Sequence, residues 1–209
     1  MKRIFISGSD TEVGKTFFTV QLLRKLKSAN VAGFKPIACG DRDDAQKFLD
    51  AMAPTSLVLD EINPIFLQKP MAPYVAATAE NRTLDFDRLD KSLKKLEIIY
   101  STVLIEGAGG IMTPITSNLT MRDLARRWDC SVVLVVPNQL GVLSQTLCAV
   151  EALQDLVLEG IILNNREAMG QGLDLQRSNQ EVLLEHFPGK VWNLNDCDLT
   201  KFAERFNET

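Results

Sequence analysis

GSDTEVGKTF, Gly8 to Phe17, follows the short apolar run RIFISG, Arg3 to Gly8, and leads into KTFFTVQLLRKLKSA, Lys15 to Ala29. The first run reads as a strand. The last has apolar residues at helical spacing, including Phe18, Leu22, Leu23 and Leu26. Between them stands Gly14-Lys15-Thr16, the end of a phosphate-binding loop in the strand–turn–helix setting that such a loop requires. The common pattern G-x-x-x-x-G-K-[ST] would place its first glycine at Ser9, whereas the glycine here is Gly8. The shift alters the entry to the loop and leaves the phosphate-holding end intact. Backbone N–H groups at the helix start can cradle phosphates, Lys15 can reach the β- and γ-phosphates, and the Thr16 hydroxyl can serve Mg²⁺. The extra loop residues, Ser9 to Glu12, are polar and partly acidic.

Working outward, strand-like and helical segments alternate. AGFKPIA (Ala32–Ala38) reads as a second strand interrupted by Pro36, and DDAQKFLDAMA (Asp43–Ala53) as a helix. INPIFLQKPMAPYVAATAE (Ile62–Glu80), with three prolines, reads as irregular. DFDRLDKSLKKLEII (Asp85–Ile99) is an amphipathic helix, STVLIEGAGG (Ser101–Gly110) a strand with its end after Glu106 and a glycine-rich turn, and NLTMRDLARRWD (Asn118–Asp129) a helix. SVVLVVPN (Ser131–Asn138) is the clearest buried strand. GVLSQTLCAVEALQDL (Gly141–Leu156) reads as a helix and LEGIILNN (Leu158–Asn165) as a strand. DLQRSNQEVLLEHF (Asp174–Phe187), GKVWNL (Gly189–Leu194) and a last short helix follow. This order predicts an α/β fold of the P-loop NTPase type, a mostly parallel sheet with helices on both faces, as one domain over residues 1–209. Ligands bind such sheets at the carboxyl ends of the strands, where Gly8, Glu106, Pro137, Asn138 and Asn164 converge.

Composition narrows the function. The net charge of −4 over 209 residues argues against a general nucleic-acid binder. Cys39, Cys130, Cys148 and Cys197 are scattered without a C-x-x-C pair, which argues against a zinc site and for free thiols in a reducing compartment. No apolar run approaches the roughly 20 residues of a membrane span, and the first residues lack the pattern of a secretory signal. A cytoplasmic protein with no membrane partner is the expectation. His186 stands alone beside Phe187-Pro188 and reads as structural, so chemistry falls to lysines, a metal and positioned substrates. Glu106 stands where the second acid of a phosphate-loop site is expected, with Gly107, Ala108 and Gly109 after it, and is a candidate Mg²⁺ ligand. Asp43 and Asp44 compete as a further ligand or a helix cap. Lys35, in an apolar strand, would add a second positive charge beside Lys15.

Together GSDTEVGKT, GFKPIACG, DDAQ, NPIFLQKPMAPYVAA, LIEGAGGIMTPI and GIILNN resemble the dethiobiotin synthetases, in the same order, from residue 3 to about 165. The shifted glycine is that family's habit, usually G-T-D-T-x-V-G-K-T. The resemblance implies an ATP- and Mg²⁺-dependent ring closure: CO₂ adds to 7,8-diaminopelargonate as a carbamate, ATP phosphorylates it, and the second amine closes the ureido ring. It implies a homodimer in which the partner completes each site. Lys15 would hold phosphates and carbamate, and Lys35 would orient and stabilise the carbamate. Thr16, Asp44 and Glu106 would bind the metal, which favours Asp44 over Asp43. Thr11 and Glu12 would face substrate and nucleotide, with Val13, Gly14 and Phe17 beside them. Gly107, Ala108 and Gly109 would border the nucleotide, and Asn164 would read the adenine. Cys39 stands where a serine or threonine usually meets the substrate, Ser144 where asparagine is common, and Trp192 near a usual proline. The alternative is a nucleotide switch of the partitioning or cell-division type. Its signature lysine would fall at Asp10, which argues against it.

Overall fold

A computed structural model describes residues 1–26, 30–52, 54–165 and 173–206. In chain order the elements are β1 (Lys2–Gly8), α1 (Lys15–Lys25), β2 (Val31–Phe34), β3 (Ile37–Cys39), α2 (Asp43–Met52), α3 (Leu59–Ile62), β4 (Ile65–Leu67), α4 (Pro73–Ala79) and α5 (Phe86–Ile99). Then follow β5 (Thr102–Gly110), α6 (Met121–Arg127), β6 (Ser131–Pro137), α7 (Val142–Glu151), β7 (Leu158–Asn164), α8 (Leu173–His186), β8 (Val191–Asn193) and α9 (Asp196–Glu204). Six strands form a parallel sheet in the order β2-β5-β1-β6-β7-β8. The predicted fold class is the one found.

The central strands are apolar on both faces because helices cover both. Phe5, Ile105 and the run Val132 to Val136 are fully buried, as are Phe18 and Leu22 of α1. Two predicted segments differ. Phe34 ends β2, and after Lys35-Pro36 the chain enters β3, which leaves the main sheet and pairs with β4. The run predicted as one interrupted strand is therefore two strands in two sheets. The stretch predicted as irregular holds β4 and α4, and Pro73 occupies the first turn of α4. Proline fits that position because its missing N–H has no helical partner there. Strand β5 also continues past Glu106 to Gly110, so Glu106 lies inside the strand, in register with Ile6 of β1. The pairing shifts register beyond this point, where Gly8 of β1 stands opposite Gly110. Ala29, Ala53 and the ends of several quoted segments fall outside the described residues or beyond element ends.

Candidate active site

The loop from Gly8 to Gly14 folds back over the end of β1. A Cβ at Gly8 would lie 2.6 Å from both the Asp10 carbonyl oxygen and Val13 Cγ2. The first glycine is thus required by the loop's close return. Gly14 caps α1 with φ of 97°, a left-handed conformation in which a side chain would also strike Asn164. Val13 is buried, and its carbonyl accepts from Asn164 Nδ2 at 2.9 Å, which ties the loop to the end of β7. Lys15 is buried, and its ammonium donates to the Asp10 carbonyl at 3.0 Å. Burial lowers its pKa to about 8 against the pull of Glu106.

Glu106 is the hub beneath this loop. Its carboxylate is fully buried. Oε1 accepts from Thr16 Oγ1 at 2.9 Å and from Lys35 Nζ at 2.6 Å, and Oε2 accepts from Thr19 Oγ1 at 2.6 Å. Lys35 also donates to Asp44 Oδ2 at 2.9 Å. Burial opposes the Lys35 charge, but Glu106 and Asp44 outweigh it and hold the ammonium above its ordinary value. Burial likewise pushes the Asp44 carboxyl up, and Lys35 and the Thr16 hydroxyl bring it below the ordinary range. Asp43 is exposed, and its N–H donates to Asp41 Oδ1 at 3.0 Å. Of the two aspartates, Asp44 is the one that faces the cluster.

An open cleft of about 760 Å³ lies over this cluster. The predicted residues Thr11, Glu12, Gly14, Lys15, Thr16 and Phe17 line one side of it. Lys35, Cys39, Asp44, Glu106, Ala108 and Gly109 also line it. Three predicted residues do not. Val13 turns inward, Asn164 lies behind the loop on the Val13 carbonyl, and Gly107 faces the Phe5 ring, which a Cβ there would meet at 2.9 Å. Pro70 to Pro73, from the stretch predicted as irregular, form part of the wall. Thr19 went unnoticed in the sequence; the available signal was a polar residue on the buried face of α1, four positions after Lys15.

The oxygens of Thr16, Asp44 and Glu106 form a hard donor set that suits Mg²⁺, which takes few protein ligands and completes its shell with water and phosphate. Among the described residues no group of three His, Cys, Asp or Glu side chains could by itself hold a metal. Cys39 is half-buried at the cleft wall, and burial raises its thiol to about 11, so it is a neutral, weak hydrogen-bonding group. Ser144 is exposed on α7. Trp192 packs its ring edge-on against Phe202 at 5.7 Å. His186 is exposed.

A family model described as an AAA domain matches residues 2–191. The ATP-dependent dethiobiotin synthetase BioD of Akkermansia muciniphila is 39% identical over 169 residues, 79% of each chain. That of Aquifex aeolicus is 34% identical over 206 residues, covering 95% of this chain and 92% of the other. That of Methanocaldococcus jannaschii is 31% identical over 211 residues, covering 97% and 95%. A plasmid partition protein from Borrelia burgdorferi superposes with a TM-score of 0.60 at 12% identity, over 99% of this chain and 98% of the other, a likeness of fold alone. With its shifted phosphate loop, its buried Lys35–Glu106 pair and these relatives, the chain belongs to the ATP-dependent dethiobiotin synthetase family.

Proposed function

We propose that the cleft closes 7,8-diaminopelargonate and CO₂ into dethiobiotin with ATP, in biotin synthesis. The observation that carries this reading is the convergence of two lysines, two carboxylates and a hydroxyl under one phosphate loop: Lys15, Lys35, Asp44, Glu106 and Thr16. A phosphoryl transfer between anionic partners needs fixed positive charge more than a nucleophilic side chain.

The loop N–H groups and Lys15 would bind the β- and γ-phosphates. Thr16, Asp44 and Glu106 would hold Mg²⁺, whose charge offsets that of the phosphates. Lys35 carries its charge at the cleft floor, where it would hold the carbamate oxygens and favour the charge that builds as the phosphoryl group arrives. The carbamate oxygen takes the γ-phosphoryl and ADP leaves. The second amine then attacks the carbamate carbon, loses a proton and expels phosphate. Thr11, Glu12 and Cys39 would border the diamine, where acidic charge suits ammonium groups. Asn164, which anchors Val13, would act near the adenine. The exposed apolar side chains Met71, Tyr74 and Val75 beside the cleft, with Leu140 and Leu147 at α7, would be covered by a second copy in a homodimer. The free thiols Cys39, Cys130 and Cys148 suit a reducing cytoplasm. No helix among the described residues is long and apolar enough to cross a membrane.

Fixation of labelled bicarbonate in the presence of the diamine and Mg-ATP tests the reading. A partitioning-type switch would instead hydrolyse ATP without regard to the diamine. Cys39 gives a separate check. Cys39→Ser replaces a neutral thiol by a better hydrogen-bonding hydroxyl, so KM for the diamine is expected to stay level or fall. A large rise would mean that the thiol itself recognises the substrate.

A further inference from the structure

The hydrogen bonds of Glu106 give a role to a residue outside the phosphate-loop motif. Thr19 is fully buried in the second turn of α1. A helical threonine commonly returns its hydroxyl to the carbonyl four residues back. That carbonyl, of Lys15, is present at 2.9 Å, but Glu106 Oε2 is nearer, at 2.6 Å. A hydroxyl has one proton, and the charged oxygen is the stronger acceptor. The two oxygens of Glu106 are therefore divided. Oε2 is engaged by α1, and Oε1 meets Thr16 and Lys35 of the cleft.

We propose that Thr19 is a positioning residue: its hydroxyl holds Glu106 Oε2 on α1, so that Glu106 offers a cation in the cleft one oxygen only. This rests on reading Thr16, Asp44 and Glu106 as the metal site. One-oxygen binding suits the small octahedral Mg²⁺, whereas Ca²⁺ readily takes both oxygens of a carboxylate. Thr19 thus tunes the site toward Mg²⁺. Removing the hydroxyl leaves Oε2 free to turn and join Oε1.

The test measures Mg²⁺ and Ca²⁺ binding by calorimetry, with a non-hydrolysable ATP analogue already bound. Thr19→Val keeps the volume and loses the donor. Its Mg²⁺ affinity is expected to fall about tenfold or more, as for other residues that orient a ligand, while Ca²⁺ affinity holds or rises. Thr19→Ser is expected to restore the wild-type ratio. If Thr19→Val does not fold, Thr19→Ala makes the same comparison. A lower melting temperature with an unchanged Mg²⁺/Ca²⁺ ratio would mean a packing role and overturn the inference, while leaving the metal site standing. So would a Thr19→Ser protein that behaves like Thr19→Val. A wild-type protein that binds no Mg²⁺ with the analogue would overturn both the inference and the metal site on which it rests.

Discussion

Lys35→Ala is expected to lower kcat by roughly 10²–10³-fold, the usual cost of losing a group aimed at developing charge, with ATP affinity changed much less. Lys35 lies under the loop, between Asp44 at 2.9 Å and Glu106 at 2.6 Å, while the loop N–H groups and Lys15 remain to hold phosphates. The substitution has a second effect. Glu106 is fully buried, and without Lys35 its charge keeps only hydroxyl donors. Removing one partner of a buried ion pair costs about 3–5 kcal/mol, so the melting temperature should fall by roughly 10 °C in a chain of this size. Kinetics should therefore be read well below that temperature, with equilibrium binding of ATP measured in parallel. Normal turnover at saturating ATP, combined with lost nucleotide affinity, would move Lys35 from the carbamate to the nucleotide.

Gly8→Ala is expected to damage nucleotide binding although Gly8 has no side chain to offer a phosphate. A methyl group there would meet the Asp10 carbonyl oxygen and Val13 Cγ2 at 2.6 Å and come within 3.2 Å of Lys15 Nζ. Backbone cannot yield as a long side chain can, so the loop must move. Hydrogen bonds from loop N–H groups to a charged phosphate are worth about 1.5–3 kcal/mol each, so losing one is expected to cost roughly 10- to 100-fold in ATP affinity, measured by equilibrium titration. Overpacking adds about 1–3 kcal/mol of destabilisation. Wild-type affinity in Gly8→Ala would show that the loop does not depend on its tight return over β1.

The fold was legible where residues carry a strong periodic signal. The run Val132 to Val136 announces a strand covered on both faces, and Phe18, Leu22 and Leu23 announce a buried helix face. It was not legible from Ala32 to Ala38 and from Ile62 to Glu80. Strands β3 and β4 are three residues each, too short to show a period, and they pair only with each other. Pro73 looked like a breaker and is a helix start. Lys15 and Thr16 were legible at the site because they belong to a motif, and Glu106 because it stands between an apolar run and a glycine-rich one. Their partnerships were not. Lys35 meets Glu106 across 71 positions and Val13 meets Asn164 across 151, separations at which local pattern carries no information. Thr19 was missed because a lone threonine among apolar neighbours has no motif of its own. Its role exists only once β5 brings Glu106 beneath α1.

In the function proposed, this cleft joins carbon dioxide to a diamine at the expense of ATP. Purified protein incubated with labelled bicarbonate, 7,8-diaminopelargonate and Mg-ATP tests it most directly. Label is expected in dethiobiotin, formed together with ADP and phosphate and only when the diamine is present. ATP hydrolysis that proceeds at the same rate without the diamine, with no label in dethiobiotin, would contradict it.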